Sequence, residues 1–335
     1  MKGHRPARGI ALIALAALCF ATMDTTIKYL GAFLPVLLIL WARYAFQAVS
    51  MGLWLMLTPE SAASRQAPRG GQGNLGTALR FLVRSKTAGF RTEHPRFQLA
   101  RGALLLATSA LSFFGVQRMP VAEFTAINML TPVVVTLLAA WVLHERVSAP
   151  RWALVCAAFA GAVIVIRPGS GLFGWAVLFP LAGALTYASF QVLTSKLSAL
   201  ESPYTTHFYT GLTGALVLTP LLFFSAIDTD GTLLAAPPRQ LALLLAIGAL
   251  GTVGHLFLIL ALGLAPTATL MPFIYLQIGV AAAVSWVVFR YVPDGWAWVG
   301  MGVIAVCGAA SAWLNMRKTA SHPATSTVAA DTIAD

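Results

Sequence analysis

Residues 130–169, LTPVVVTLLAAWVLHERVSAPRWALVCAAFAGAVIVIRPG, place two long apolar runs on either side of a short polar segment. Each run, continued a little upstream in the first case, approaches the roughly 20 residues that a helix needs to cross a membrane. A connection of a few residues leaves two such helices side by side and antiparallel. The runs are continuous rather than alternating, which disfavours a β-barrel. The stretch therefore predicts a transmembrane helical hairpin.

The rest of the chain has the same character. It holds 335 residues, of which 58% are hydrophobic and only 10% are charged, whereas soluble domains average about 25% charged residues. This composition predicts an integral membrane protein with several spans. The cysteines Cys19, Cys156 and Cys307 all lie inside apolar runs. We therefore interpret them as small hydrophobic residues, not as disulfide partners or metal ligands.

The hydropathy pattern predicts ten transmembrane helices and an all-α membrane protein. The predicted spans cover residues 9–30, 34–57, 98–117, 121–142, 150–167, 174–196, 204–225, 240–263, 267–289 and 295–315. Outside them we expect a cytoplasmic N-terminus (1–8), a long cytoplasmic linker (58–97) and a disordered cytoplasmic tail (316–335).

The basic residues predict the orientation of these spans. With the N-terminus inside, fifteen of the 22 Lys and Arg residues fall in cytoplasmic segments and five at outer ends. Cytoplasmic loops carry such an excess, so both termini are predicted to lie in the cytoplasm, with the spans in the inner membrane. The same bias accounts for the net charge of +11 without a nucleic-acid partner.

The two halves of the chain resemble each other. At one constant offset Trp141 matches Trp286, and in the first and sixth spans Asp24 matches Gln191. The shared order pairs span 1 with span 6 and spans 4 and 5 with spans 9 and 10. This predicts two five-span repeats, at 9–167 and 174–315. Because five is odd, the second repeat is inverted, a plan common among secondary transporters, whose sites lie near the midplane between repeats.

These features resemble the EamA branch of the drug/metabolite transporter superfamily over residues 9–315. In the opening stretch, Pro132, Glu145 and Gly161 occupy places that match the family's pattern, and Arg43 lies in a similar WARY segment. MDTTIKYL together with WARYAF resembles the subset that includes S-adenosylmethionine and riboflavin uptake proteins. The resemblance implies transport of a small organic metabolite.

The second half departs from that pattern. Arg290 stands where the family has a glutamate, and Gln277 stands where it often has a proline. A role for a pair of glutamates is therefore in doubt in this chain.

Four charged residues are predicted to lie in the outer half of the first repeat. Asp24 falls about 9 Å from the outer end of its helix and Arg43 about 13 Å below the same surface; Lys28 is one turn above Asp24, and Glu123 begins the fourth span. Charges within a span cost about 2.5–3.5 kcal/mol each and usually face a cavity or a partner. One interpretation is that these charges line a solute cavity. The alternative is structural: Asp24 pairs with Lys28 or Arg43, Lys28 extends to the membrane interface, and Glu123 caps its helix.

Uncharged residues at similar depth are candidates for the same cavity, because aromatic faces and amides suit a flat or cationic metabolite. They are Trp41, Asn128, Tyr187, Gln191, Tyr275 and Gln277. Ordinary hydrogen bonds between helices are the alternative. His207 and His255 lie towards the cytoplasmic side, where packed histidines are favoured over a proton relay.

The sequence thus predicts a permease that works by alternating access on an amino acid, S-adenosylmethionine or a riboflavin-like solute. A drug or metabolite exporter of the same family is the alternative, and a membrane-embedded enzyme is a remote one. We find no Walker A loop and no metal-binding spacing, and we expect no catalytic residues, no metal site and no cofactor. Asp24 or Glu123 could carry a coupling proton. A monomer and a homodimer both remain open.

Overall fold

The structure is a computed structural model that describes residues 6–57, 90–142, 149–167, 172–197, 200–264, 270 and 273–321. Over these residues the chain forms twelve α-helices and a 3-10 turn and has no β-strand. The first half contributes α1 (Pro6–Leu30), α2 (Val36–Leu57), α3 (Pro95–Val116), α4 (Val121–Asn128), α5 (Thr131–Val142) and α6 (Ala149–Ile166). The second contributes the 3-10 turn (Gly174–Val177), α7 (Leu178–Leu197), α8 (Pro203–Phe223), α9 (Thr229–Ala235), α10 (Pro238–Leu264), α11 (Leu276–Phe289) and α12 (Gly295–Ser321).

The helices have the length and surface of membrane spans. Five of the described segments are long and apolar enough to cross a bilayer: α1, α2, α3, α7 with its 3-10 turn, and α10. Shorter apolar helices occur in α4–α5, α6, α11 and α12. Large apolar side chains face outward, among them Phe223 and Phe224, which are 80% and 83% exposed. A surface of this kind is stable against lipid, not water, and the chain is a multi-pass membrane protein.

Helix contacts repeat between the two halves. α1 packs against α10, and its counterpart is the contact of α7 with α3; α2 packs against α10 as α8 packs against α3. Likewise α1 contacts α11, and α7 contacts α4 and α5. The contacts of α2 with α8 and of α6 with α12 each join helices that correspond to one another. Each half therefore repeats the packing partners of the other half.

The fourth predicted span is not one continuous helix, which corrects the prediction for 121–142. α4 ends at Asn128 and α5 begins at Thr131. Pro132 lacks the N–H that would bond to the Asn128 carbonyl one turn earlier. The Thr131 hydroxyl donates to that carbonyl instead, at 2.7 Å. Proline at this position therefore ends the ladder of helical hydrogen bonds and separates the two helices.

The ninth predicted span is also interrupted, which corrects the prediction for 267–289. A helical turn at residues 273–274 is followed by a turn at Tyr275, and regular helix begins at Leu276. At the offset of the repeat, Tyr275 corresponds to Leu130 and Gln277 to Pro132. The second half thus has its break at the matching place, with Gln277 at the position of Pro132 and with Pro272 three residues before Tyr275 in the sequence.

Other boundaries differ by a few residues. α3 begins at Pro95, inside the predicted linker, of which 58–89 lie outside the described residues. α12 continues to Ser321, six residues past the predicted end of the last span. Residues 1–5 and 322–335, which hold most of the predicted termini, lie outside the described residues, as does Glu145.

Candidate functional site

A cavity of about 70 Å³ lies among helices of both halves. The first half supplies residues from α1, α2, α3 and α4, and the second supplies residues from α7, α10 and the start of α11. Its lining consists of Phe20, Met23, Asp24, Arg43, Leu105, Thr108, Ser109, Ser112, Phe113, Asn128, Met129, Tyr187, His255, Ile274 and Gln277. Five predicted site residues are brought together here: Asp24, Arg43, Asn128, Tyr187 and Gln277.

Asp24 is held on α1 with its carboxylate at the cavity wall. The side chain is only 7% exposed, and it accepts no hydrogen bond from any described residue. A buried carboxylate without a partner costs several kcal/mol unless a ligand, water or proton compensates it. Asp24 is therefore a side chain with free binding capacity inside the protein.

Arg43 reaches the same cavity from α2. Its side chain is 1% exposed. One terminal nitrogen donates to Ser109 Oγ at 3.3 Å, and the guanidinium carbon lies 4.5 Å from the centre of the Tyr44 ring. Tyr44 Oη and Ser109 Oγ are 2.9 Å apart. These contacts hold the guanidinium against α3, while its Nε has no partner among the described residues.

The two helix breaks face this cavity. Met129 and Ile274, which correspond at the repeat offset, both line it. Asn128 ends α4 with its Oδ1 buried and without a partner among the described residues. Gln277 begins α11, is 6% exposed, and makes no hydrogen bond to a described side chain or backbone group. Two amides are thus available beside the breaks.

Lys28 and Glu123 do not line this cavity, and of the two alternatives left open by the sequence their positions fit contacts at the helix ends. Lys28 Nζ donates to the carbonyl of Val116, the last residue of α3, at 2.7 Å and to that of Met119, in the connection to α4, at 3.0 Å. Lys28 therefore does not pair with Asp24. Glu123, in the first turn of α4, accepts a hydrogen bond from Tyr291 Oη at 2.6 Å. Both residues are at the end of the helices near a second cavity, of about 370 Å³, which Lys28 and Tyr291 line.

Three further candidates are outside the cavity lining. Trp41 donates from its ring nitrogen to Thr219 Oγ1 at 3.0 Å, on α8. Gln191 lies on α7 one turn beyond Tyr187. Tyr275 is buried against α12, where its hydroxyl has no partner among the described residues. Trp41 and Tyr275 thus contact neighbouring helices, which is the alternative left open for them.

Sequence reasoning missed several members of the lining. Thr108, Ser109 and Ser112 are small hydroxyl residues on one face of α3, and such residues are common in any membrane helix. His255 was interpreted as a packed histidine. Its Nδ1 donates to the Gly251 carbonyl at 2.9 Å, yet the ring also lines the cavity. The helical spacing of the α3 hydroxyls was the one available signal.

A second buried arginine connects α3 to the other half of the chain. Arg101 is 1% exposed and donates to Thr194 Oγ1 on α7 at 2.8 Å. It also donates to the Thr206 carbonyl and Thr210 Oγ1 on α8, at 3.2 and 2.5 Å. Arg101 does not line the cavity, and its contacts fix the positions of three helices.

At the end of the bundle near Glu123, a second contact joins the halves. An Arg167 nitrogen lies 2.6 Å from Asp294 Oδ2, across the end of α6 and the loop before α12. Asp294 Oδ1 also accepts from the Ala297 amide at 2.8 Å. The Ala297 hydrogen bond, with that from Arg167, lowers the pKa of Asp294 below its usual value. The carboxylate therefore stays ionised and keeps this contact at neutral pH.

The opposite end has a corresponding connection. Glu201, in the α7–α8 loop, accepts hydrogen bonds at Oε1 from Thr92 Oγ1 at 2.6 Å and from the amides of Glu93 and His94 at 2.9 and 3.1 Å. The His94 ring lies 3.4 Å from the same oxygen. Burial raises the pKa of Glu201, but these hydrogen bonds, led by that from Thr92, outweigh it and lower the pKa below its usual value.

The fold and cavity define a multi-pass membrane protein with a polar compartment between two matched halves. A family model described as the EamA-like transporter family matches residues 7–167 and 174–312. The chain belongs to this family, within the drug/metabolite transporter superfamily, and is a transporter, not an enzyme.

Known relatives carry small metabolites. A riboflavin transporter of Rhizobium johnstonii is 32% identical over 232 residues, which cover 68% of this chain and 73% of the relative. An S-adenosylmethionine uptake transporter of Rickettsia prowazekii is 22% identical, and the alignment covers 85% of this chain and 86% of the relative. A pseudopaline exporter of Pseudomonas aeruginosa is 27% identical over 89% of this chain and 93% of its own.

The fold has a counterpart among solved structures. One crystal structure of a protein superimposes with a TM-score of 0.59 at 19% identity, and covers 93% of this chain and 98% of that chain. At this identity the likeness concerns the fold alone.

Proposed function

We propose that the chain is a secondary transporter that moves a small organic metabolite across the inner membrane by alternating access. Its two inverted five-span halves, 9–167 and 174–315, would rock about the shared cavity. The observation that carries the proposal is the composition of that cavity, whose polar lining comes from both halves and includes the residues beside both helix breaks. Discontinuous helices at a repeat interface are the usual setting of a transporter site.

Contacts at the two ends of the bundle support the same mechanism. Glu123–Tyr291 and Arg167–Asp294 join the halves at one end, and Thr92–Glu201 joins them at the other. The excess of basic residues in predicted cytoplasmic segments assigns the first end to the outside and the second to the cytoplasm. Access from either side requires the contacts at that end to separate while those at the other end hold.

The cavity also sets a condition on the cycle. At about 70 Å³ it is far smaller than the roughly 300–1,000 Å³ of pockets that enclose a drug-sized ligand. A nucleoside or flavin could enter only after the halves have separated on one side. This volume therefore corresponds to a narrowed stage of the cycle, with both ends connected.

Flux into proteoliposomes tests the proposal. The full-length chain is reconstituted, and uptake of S-adenosylmethionine, riboflavin and the proteinogenic amino acids is measured against empty liposomes. Saturable uptake of at least one solute is expected. Folded protein, shown by a single symmetric elution peak and a cooperative thermal transition, that moves none of them would contradict the proposal.

Export is a second candidate, since the pseudopaline exporter of Pseudomonas aeruginosa matches 89% of the chain. Direction follows from orientation and coupling, so it is tested separately. Accessibility of tags at the two termini in intact cells checks the predicted cytoplasmic location. Flux under an imposed pH gradient of either sign then shows whether a proton drives movement, and in which direction. A proton-coupled importer and exporter respond to opposite gradients.

A further inference from the structure

The two charged residues of the cavity do not pair with each other. Asp24 and Arg43 both line it and are both more than nine-tenths buried. Among the described residues, Arg167 and Asp294 form the contact within 4.0 Å that joins an arginine or lysine to a carboxylate. Asp24 and Arg43 therefore line one cavity with opposite charges and do not form an ion pair with each other.

Contacts with α2 and α3 hold the Arg43 guanidinium in place. The guanidinium is bonded to Ser109 and lies against the Tyr44 ring. On its other side α10 comes so close that a Cβ at position 251 would lie 2.8 Å from Arg43 Nε. Gly251 leaves the space that the side chain occupies. The position of the guanidinium is therefore set by its packing against α2, α3 and α10.

Unpaired charges of this kind are unfavourable in a closed, low-dielectric interior. An ion pair between Asp24 and Arg43 would remove part of that cost, but the two side chains do not form one. The arrangement is complementary to a ligand that carries a cationic donor for Asp24 and an anionic acceptor for Arg43. A neutral ligand would leave Asp24 without a cationic partner and Arg43 with only its contacts to Ser109 and Tyr44.

We propose that the transported solute carries a zwitterionic α-amino-acid head group, with its ammonium on Asp24 and its carboxylate on Arg43. This inference rests on the proposed function and narrows it to a substrate class. The free amides of Asn128 and Gln277 are placed to bond to polar atoms of the same solute. The small cavity volume suits a head group, so the rest of the solute extends towards the side that opens.

Four probes, which differ in the parts of the head group that they carry, are tested on the full-length, reconstituted protein. S-adenosylmethionine carries the complete zwitterion, its decarboxylated form lacks the carboxylate, and 5′-methylthioadenosine lacks the whole head group. Riboflavin is the neutral comparison. We expect S-adenosylmethionine or a proteinogenic amino acid to be transported. For the nucleoside series, each truncation should raise KM by roughly 30-fold or more, since removing one partner of a buried charge pair commonly has effects of this size.

Two substitutions link each part of the head group to its residue. Arg43→Gln should abolish the discrimination between S-adenosylmethionine and its decarboxylated form, while Asp24→Asn should preserve it. In both variants the KM for the zwitterion should rise by at least about tenfold. If a variant does not fold, the comparison of probes on the wild-type protein decides the matter alone.

The possible outcomes distinguish a failure of this inference from a failure of the proposed function on which it rests. If riboflavin is transported and no zwitterion is, or if S-adenosylmethionine and 5′-methylthioadenosine are transported equally, the proposal of a zwitterionic substrate is wrong. The proposed transport function would still stand. Zwitterion transport with unchanged KM in both variants overturns the roles of Asp24 and Arg43. If no solute crosses while the protein is folded, the proposed function itself fails.

Discussion

Tyr291 Oη donates a hydrogen bond to Glu123 Oε1 at 2.6 Å, and so joins the loop after α11 to the first turn of α4. The residues are 168 positions apart and belong to different halves of the chain. Glu123 is 1% exposed, and its second carboxylate oxygen has no partner among the described residues. The contact therefore joins the two halves at the end of the bundle where Arg167 and Asp294 also meet.

Removing that hydrogen bond should favour opening at this end. In Tyr291→Phe both oxygens of Glu123 lack a partner, which costs about 1–3 kcal/mol in the closed state. We expect a cysteine at Ser285, buried in the lining of the second cavity, to react with a membrane-impermeant maleimide about tenfold faster. The native cysteines are first replaced.

Tyr204→Phe is the matched control for that experiment. Tyr204 stacks on Trp54, and its hydroxyl bonds to no described residue. Its removal should leave the labelling rate at position 285 unchanged. Equal rates for Tyr291→Phe and the parent protein would show that the Glu123 contact does not hold this end closed.

Glu201 should stabilise the folded protein in a pH-dependent way. Its hydrogen bonds lower its pKa, so its contribution is fully present above the ordinary glutamate value of about 4.3. The contribution is lost as the pH falls through the lowered pKa of the folded state. Glu201→Gln should cost about 1.5–3 kcal/mol at pH 7, the size of a hydrogen bond to a charged group.

Thermal unfolding of both proteins across a pH series checks this prediction. The difference between wild type and Glu201→Gln should be constant near neutral pH and shrink only in acid. Glu93→Gln is the control, because Glu93 contributes its backbone amide, and not its exposed side chain, to the cluster. A difference that grows as the pH falls would have the wrong sign.

Gly251 should matter for solute binding. A methyl group at this position would lie 2.8 Å from Arg43 Nε and 3.1 Å from Met23 Sδ. Gly251→Ala therefore displaces the guanidinium, and we expect the KM for the transported solute to rise about tenfold, since small misplacements of a binding group are costly. Gly279→Ala on α11, where a Cβ meets nothing within 4 Å, should leave KM unchanged. Similar values for both variants would argue against a fixed Arg43.

Gly300 should matter for stability instead. α6 and α12 cross so closely that a Cβ at position 300 would lie 2.6 Å from Val165 Cγ2 and 2.7 Å from the Gly161 carbonyl. Gly300→Ala is expected to destabilise the protein by about 1–3 kcal/mol through overpacking. Gly302→Ala, with nothing within 4 Å, is the control. Thermal unfolding in detergent measures both, and equal transitions would refute close contact at this crossing.

Much of the fold could be predicted because it follows from local composition. The positions of α1 and α2 agree with the predicted spans to within a few residues, since apolar length alone decides that a helix crosses the bilayer. The breaks at Leu130 and Tyr275 were missed. Pro132 and Pro272 lie close to the two breaks in the sequence, but membrane helices also tolerate proline without ending.

The site was predicted in part. Asp24 and Arg43 were found because a charge within an apolar helix is conspicuous and has few explanations. Lys28 has the same character, yet it caps the end of α3. Ser109 and His255 were missed because hydroxyl and histidine side chains occur throughout such helices.

The sequence by itself determined that the chain is a helical membrane protein built from two related halves, and which charged residues lie within its spans. These properties depend on residues close together in the chain and on their transfer from water to lipid. Only the tertiary structure decided which charges share a cavity and which are already bonded. That choice depends on how α1, α2, α3 and α10 approach one another. Gly251, more than 200 positions from Arg43 in the chain, leaves the space that the Arg43 side chain occupies, and no local pattern records this relationship.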